Sequence, residues 1–183
     1  QIAGFFHGFV ALAAAAVLAA DAAANERQQQ RLQGVVGLPQ LAGIDTVKRI
    51  AAIQMASGPN VTANFNEAGR LISRAADAGA ELVVLPENFA IMGISENDKV
   101  EIREREGEGP IQRFLMEQAD KHRVWLVGGT VPLVSSEPGR IRAACLVYNE
   151  RGQQVARYDK IHLFDVRLEE SGENYIESAT IEP

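Results

Sequence analysis

Apolar positions along this chain fall into two regimes. From Ile2 to Ala20 no residue carries a formal charge and alanine dominates. A polar stretch with Gln28-Gln29-Gln30 and then Gly37-Leu38-Pro39 follows, and it reads as a linker. The uncharged run is long enough for a membrane span. Alanine contributes little to insertion, however, and no Lys or Arg precedes the run as a signal peptide requires. Residues 1–45 are therefore expected to be an apolar Ala-rich segment plus linker outside the domain. Membrane contact or export through residues 2–20 is the less favoured reading.

From residue 46 to residue 183 the pattern becomes that of alternating strands and helices. Ile50-Ala51-Ala52-Ile53-Gln54-Met55 is a short apolar run closed by Ser57-Gly58-Pro59, which predicts a buried strand and a turn. Asn60 is placed to cap a helix, and Val61, Phe65, Ala68, Leu71, Ile72, Ala75 and Ala76 recur at helical spacing up to Gly79. Leu82-Val83-Val84-Leu85 is a second buried strand, so the segment predicts a parallel βαβ unit. Gly109-Pro110 opens another helix, striped by Ile111, Phe114, Leu115 and Ala119 and ending near His122. Val124 to Val127 is a third strand. Arg142 to Tyr148 and Gln154 to Tyr158 flank the turn signal Asn149-Glu150-Arg151-Gly152. Charge-dense Glu96 to Glu108 reads as a solvated loop or a short helix. The expected order is β-α-β-α-β-β-β, an α/β fold with a mixed sheet.

Composition narrows the function. The 183 residues are 46% hydrophobic, enough for a core, and carry a net charge of −6. No basic footprint exists, so nucleic acid is not an expected partner. One cysteine excludes an internal disulfide framework and a CxxC zinc site. A reducing, cytoplasmic compartment is the default.

Candidate chemistry gathers at strand ends. Glu87 follows a fully apolar strand in Leu85-Pro86-Glu87-Asn88-Phe89, and the carboxyl ends of strands are where α/β sheets build sites. A carboxylate partly desolvated there is a candidate general base; a loop-capping surface glutamate is the alternative. Lys160 ends another strand and could stabilise an oxyanion, held by an adjacent carboxylate; a snorkelling surface lysine is the commoner case. His162 and Asp165 suggest acid–base or metal chemistry, but no second histidine lies nearby. Gly128-Gly129 lacks a phosphate-binding pattern and is explained by a close backbone turn. Ser135-Ser136 reads as loop, and the sequon Asn60-Val61-Thr62 reads as a helix cap. Cys145 sits in Ala143-Ala144-Cys145-Leu146-Val147-Tyr148, the middle of a buried strand, where a thiol is structural and inert.

Together these segments resemble the nitrilase superfamily of carbon–nitrogen hydrolases. The resemblance covers about Arg49 to Pro183. It rests on the Ile50–Met55 run, Leu82-Val83-Val84-Leu85-Pro86-Glu87, Gly128-Gly129-Thr130-Val131-Pro132, Tyr158-Asp159-Lys160-Ile161-His162-Leu163-Phe164-Asp165 and Tyr175-Ile176-Glu177-Ser178. The wording around Lys160 most resembles the Nit-type branch of ω-amidases and deaminated glutathione amidases. The resemblance implies a four-layer α-β-β-α sandwich, incomplete at the C-terminus, and a Glu-Lys-Cys catalytic triad. Glu87 matches the general base, Lys160 the lysine that stabilises the tetrahedral intermediate, and Glu177 a second glutamate that supports the lysine. The family's nucleophilic cysteine follows the second glutamate, so Cys145 is not that residue and the attacking thiol is expected beyond Pro183. The chain alone is then expected to be inactive. No metal or organic cofactor is implied. The expected partners are a small-molecule amide and, in the intact protein, further copies of itself. A membrane N-acyltransferase with a nitrilase domain and a non-catalytic interaction protein are the alternative classes.

Overall fold

The computed structural model describes residues 49–167 and 174–183. The apolar run at residues 2–20 and the linker lie outside the described residues. Among the described residues no helix is long and apolar enough to cross a membrane.

Among the described residues, eight strands and three helices follow one another: β1 (Ile50–Ala52), α1 (Val61–Asp77), β2 (Leu82–Val84), α2 (Asn97–Glu101), α3 (Pro110–His122), β3 (Trp125–Val127), β4 (Val131–Val134), β5 (Ile141–Tyr148), β6 (Gln154–Asp159), β7 (Asp165–Arg167) and β8 (Asn174–Ile176), closed by a 3-10 turn at Glu177–Ala179. β1 to β6 form one six-stranded sheet, and β7 pairs antiparallel with β8. β1, β2 and β3 are parallel neighbours, so the expected βαβ unit is present. β5 is the central strand. Val147 pairs with Val127 of β3 and Ala156 of β6, while Ala144 pairs with Val131 of β4 and Asp159 of β6. A strand has two edges, so β3 and β4 share one edge of β5 and β6 takes the other.

The helices begin and end for local reasons. The Asn60 side chain accepts from the amide of Ala63 at 3.0 Å and caps α1. Gly79, at φ +83°, closes it: its amide donates to the Ala76 carbonyl at 2.8 Å and the Ala80 amide to the Ala75 carbonyl at 3.0 Å, a Schellman motif. α3 starts with Pro110 in its first turn, as read from the sequence. Both helices cover one sheet face, where Ala68, Ile72, Leu115 and Ala119 pack on Val83, Leu126, Ala144 and Leu146. The other face carries Leu82, Val127, Cys145 and Val147.

Three expectations are corrected. The Ile50–Met55 run is not a fully buried strand: β1 stops at Ala52 and Ile50 is 43% exposed. β1 is an edge strand, and only alternate residues of the run, Ala51, Ile53 and Met55, pack on the helix-covered core. The charged Glu96–Glu108 stretch holds the expected short helix, α2, but is not wholly solvated, because Lys99 and Glu104 are buried. Glu104 accepts from the amide of Gln112 at 3.1 Å and from its side chain at 3.0 Å, and so caps α3 from outside the helix. Finally, β4, β7 and β8 are additional to the expected order of elements; they contain only three or four residues each, too short for periodicity to register.

Candidate active site

Two strand directions bring the site together. β3 runs parallel to β2, β5 antiparallel to β3, and β6 antiparallel to β5. β2 and β6 therefore point the same way, and the residues leaving their carboxyl ends emerge at one end of the sheet. Glu87 leaves β2 through Leu85, whose amide donates to the Val127 carbonyl at 2.9 Å, and Pro86. Lys160 leaves β6 with its amide donating to the Ala143 carbonyl at 3.0 Å.

There the Lys160 ammonium lies between two carboxylates. Its Nζ is 3.0 Å from Glu87 Oε1 and 3.0 and 2.8 Å from the two oxygens of Glu177. The three side chains are 16%, 23% and 11% exposed for Lys160, Glu87 and Glu177, so the cluster is largely withdrawn from water. Burial by itself would lower the lysine pKa. The hydrogen bonds and charges of Glu177 and Glu87 outweigh it and hold the ammonium above its ordinary range.

Each carboxylate is held from behind. Asn88, directly after Glu87, has φ +58°, an uncommon conformation for a residue other than glycine. Its amide donates to Thr130 Oγ1 at 3.0 Å, which ties the loop to the start of β4. Gly129, at φ +59°, allows this approach: a Cβ there would lie 2.2 Å from the Pro86 carbonyl oxygen. The Gly128-Gly129 pair is thus a close backbone turn, as the sequence suggested. Asn64 of α1 donates to the Ala90 carbonyl at 2.8 Å and steadies the far side of the same loop. Glu177 accepts from the Phe164 amide at 2.8 Å, and Asp165 accepts from the Ser178 amide at 3.0 Å. The β7–β8 pair sets this clasp, with Asp165 opposite Ile176.

Glu87, Lys160 and Glu177, singled out in the sequence, therefore meet in space. Asp159 does not join them; it pairs with Arg157 at 2.8 Å. His162 is exposed, outside the cluster, while Asp165 acts on the turn that presents Glu177. Cys145 is 2% exposed, and burial, with the Glu87 charge added, pushes its thiol up to about 12. It is a core residue. Thr130 belongs to the Gly128–Pro132 motif but nothing in the sequence gives it a role, and Lys99, a lysine in a charged run, carries no periodic or motif signal. A larger groove of about 510 Å³, lined in part by Gly109, Arg113, Met116 and Tyr148, shares no residue with the cavity at the carboxylates.

Over 132 residues the chain is 42% identical to a deaminated glutathione amidase of Synechocystis sp., covering 72% of this chain and 47% of that protein. It is 32% identical over 141 residues to the omega-amidase NIT3 of Saccharomyces cerevisiae, covering 74% and 48%. The crystal structure of Saccharomyces cerevisiae Nit3, a member of branch 10 of the nitrilase superfamily, matches with TM-score 0.57 and 28% identity over 70% of this chain and 45% of that one. The chain spans about half the length of these relatives. Its fold is of the nitrilase type, mixed α/β around a sheet. The carbon–nitrogen hydrolase family model matches residues 49–183, a range that includes every residue the structure describes, and the chain belongs to that family.

Proposed function

We propose that the protein hydrolyses the carbon–nitrogen bond of a small carboxylic amide, with Glu87 as general base, Lys160 as oxyanion stabiliser, Glu177 as the residue that positions Lys160, and a cysteine C-terminal to Pro183 as nucleophile. The observation that carries this reading is the Lys160 ammonium held between Glu87 and Glu177 at 2.8 to 3.0 Å, at the end of the sheet. Glu87 takes the proton of the incoming thiol, and the sulfur attacks the amide carbon. Negative charge that builds on the carbonyl oxygen is stabilised by Lys160, which stays protonated. The C–N bond then breaks and ammonia leaves with the proton from Glu87. Water attacks the thioester, Glu87 takes its proton, the C–S bond breaks, and the thiol is restored. The balance is amide plus water to acid plus ammonia, with no cofactor in any step. The names of the relatives, deaminated glutathione amidase and omega-amidase, favour deaminated glutathione or another terminal amide as substrate, and the resemblance to the ω-amidase branch adds the amide of a small 2-oxo acid.

The test is ammonia release from α-ketoglutaramate and deaminated glutathione by the protein carrying the sequence after Pro183. Activity that survives Cys145→Ala and disappears on replacement of a later cysteine is the expected result. Activity abolished by Cys145→Ala alone, with the fold intact, would overturn the assignment of the nucleophile. Alanine or serine at the expected later position would turn the reading toward a non-catalytic interaction protein.

A further inference from the structure

The turn that presents Glu177 is gripped from two sides. On the β7–β8 side, the Phe164 amide donates to the Glu177 carboxylate at 2.8 Å, and the Glu177 amide donates to the Phe164 carbonyl at 3.2 Å. On the other side is Arg140, the residue before β5. Its guanidinium donates to the carbonyls of Ser178 and Ile181, the second at 2.8 Å, and to the Glu137 carboxylate. A 3-10 turn of three residues leaves its last carbonyls without partners of its own. A planar, positively charged guanidinium is suited to gathering them. The Glu177 carbonyl in turn accepts from the Thr180 and Ile181 amides at 3.0 and 2.8 Å, so Glu177 and the clamped carbonyls belong to one hydrogen-bonded unit.

Other ties keep this segment on the sheet. The Ile141 amide donates to the Thr180 carbonyl and the Glu182 amide to the Ile141 carbonyl, both at 2.8 Å. Ile181 is buried with Ile141 and Ala143, and Glu182 accepts from the Ser136 amide at 3.0 Å and pairs with Arg142. With these in place, the Arg140 clamp adds orientation more than attachment. What it orients is a carboxylate whose oxygens lie 3.0 and 2.8 Å from Lys160 Nζ. A displacement of about 1 Å takes such a contact out of hydrogen-bonding range.

From this clamp we infer that Arg140 is a positioning residue for the proposed hydrolysis, acting through the Ser178–Ile181 turn to hold Glu177 against Lys160. The inference rests on the amidase reading above. It is tested with Arg140→Met and Arg140→Lys in the protein carrying the sequence after Pro183, by the kinetics of ammonia release from α-ketoglutaramate, by urea unfolding and by carbon NMR titration of Lys160 Cε. Burial draws the Lys160 pKa down while Glu177 and Glu87 hold it up, so a Glu177 left loose lets the ammonium lose its proton at lower pH. Arg140→Met is expected to lower kcat about tenfold with KM changed less than about twofold, to move the Lys160 titration to lower pH, and to shift the urea midpoint little. Arg140→Lys keeps a charged donor and is expected to recover part of the kcat and of the titration. A Lys160 titration that does not move overturns the inference, as does a kcat loss no larger than the loss of folded protein, or failure of both variants to fold. An unsubstituted protein that releases no ammonia overturns the amidase reading instead, and the Lys160 titration then still decides whether Arg140 sets Glu177.

Discussion

Lys160 links the stability of the fold to the proposed chemistry. It donates to two carboxylates that would otherwise face each other, so Lys160→Met should cost roughly 3 kcal/mol in chemical denaturation, within the range for breaking a buried ion pair. On the proposed mechanism, the same substitution in the protein carrying the sequence after Pro183 should lower kcat about 10²- to 10³-fold, as loss of an oxyanion donor does. The pH dependence has a definite sign. The folded-state pKa of Lys160 is raised, so its stabilisation is fully present below the ordinary lysine value of 10.5 and is lost as pH rises through the folded value. The stability gap between wild type and Lys160→Met should therefore stay constant through neutral pH and shrink only in the alkaline range. A gap that closes on acidification below neutrality, before the carboxylates protonate, would show that Lys160 is not the titrating group.

At the level of elements, short contacts between loops hold the site in shape. Thr130 fixes the backbone next to Glu87 through one hydrogen bond to the Asn88 amide. Thr130→Val keeps the shape and removes that bond, so it should cost only about 1 kcal/mol in stability. If Glu87 is the general base proposed above, the effect on kcat/KM should be larger, up to about 10²-fold, because small displacements of such a group are costly. Equal and small losses in both would mean that the latch does not position Glu87. Gly129→Ala should be harsher, since its Cβ would collide with the Pro86 carbonyl at a left-handed φ. Glu104 governs α3 in the same indirect way, and Glu104→Ala should destabilise by roughly 2 kcal/mol because it strips the cap and leaves buried donors unpaired. Thermal or urea unfolding of each variant checks these values.

On the scale of the whole molecule, the sheet separates two apolar faces around β5. Cys145 lies mid-strand on the face opposite the helices, paired with Tyr158 on β6 and packed with Leu82, Val127 and Val147. No local opening of a loop exposes it. A thiol reagent should therefore label Cys145 only at the rate of global unfolding, with the native thiol silent at neutral pH because its pKa is about 12. Fast labelling under native conditions would show that β5 opens independently of the core.

What the amino-acid sequence determined by itself was the class of the fold, the helix limits and the strand ends that carry Glu87 and Lys160. These depend on neighbours in sequence: Asn60 and Gly79 bound α1, Pro110 opens α3, and apolar runs mark β2 and β3. Residue by residue, Glu177 was visible only through family resemblance, since by itself it is a glutamate in a polar stretch. The tertiary structure decided what depends on residues distant in sequence. The crossing of β5 between β3 and β6 turns two strand ends toward each other across 73 positions, and the β7–β8 clasp adds the second carboxylate. It also decided that Lys99 and Glu104, which look like solvated charges in a charged run, are buried. Burial of a charge is set by what packs over it from elsewhere in the chain, and local sequence holds no record of that.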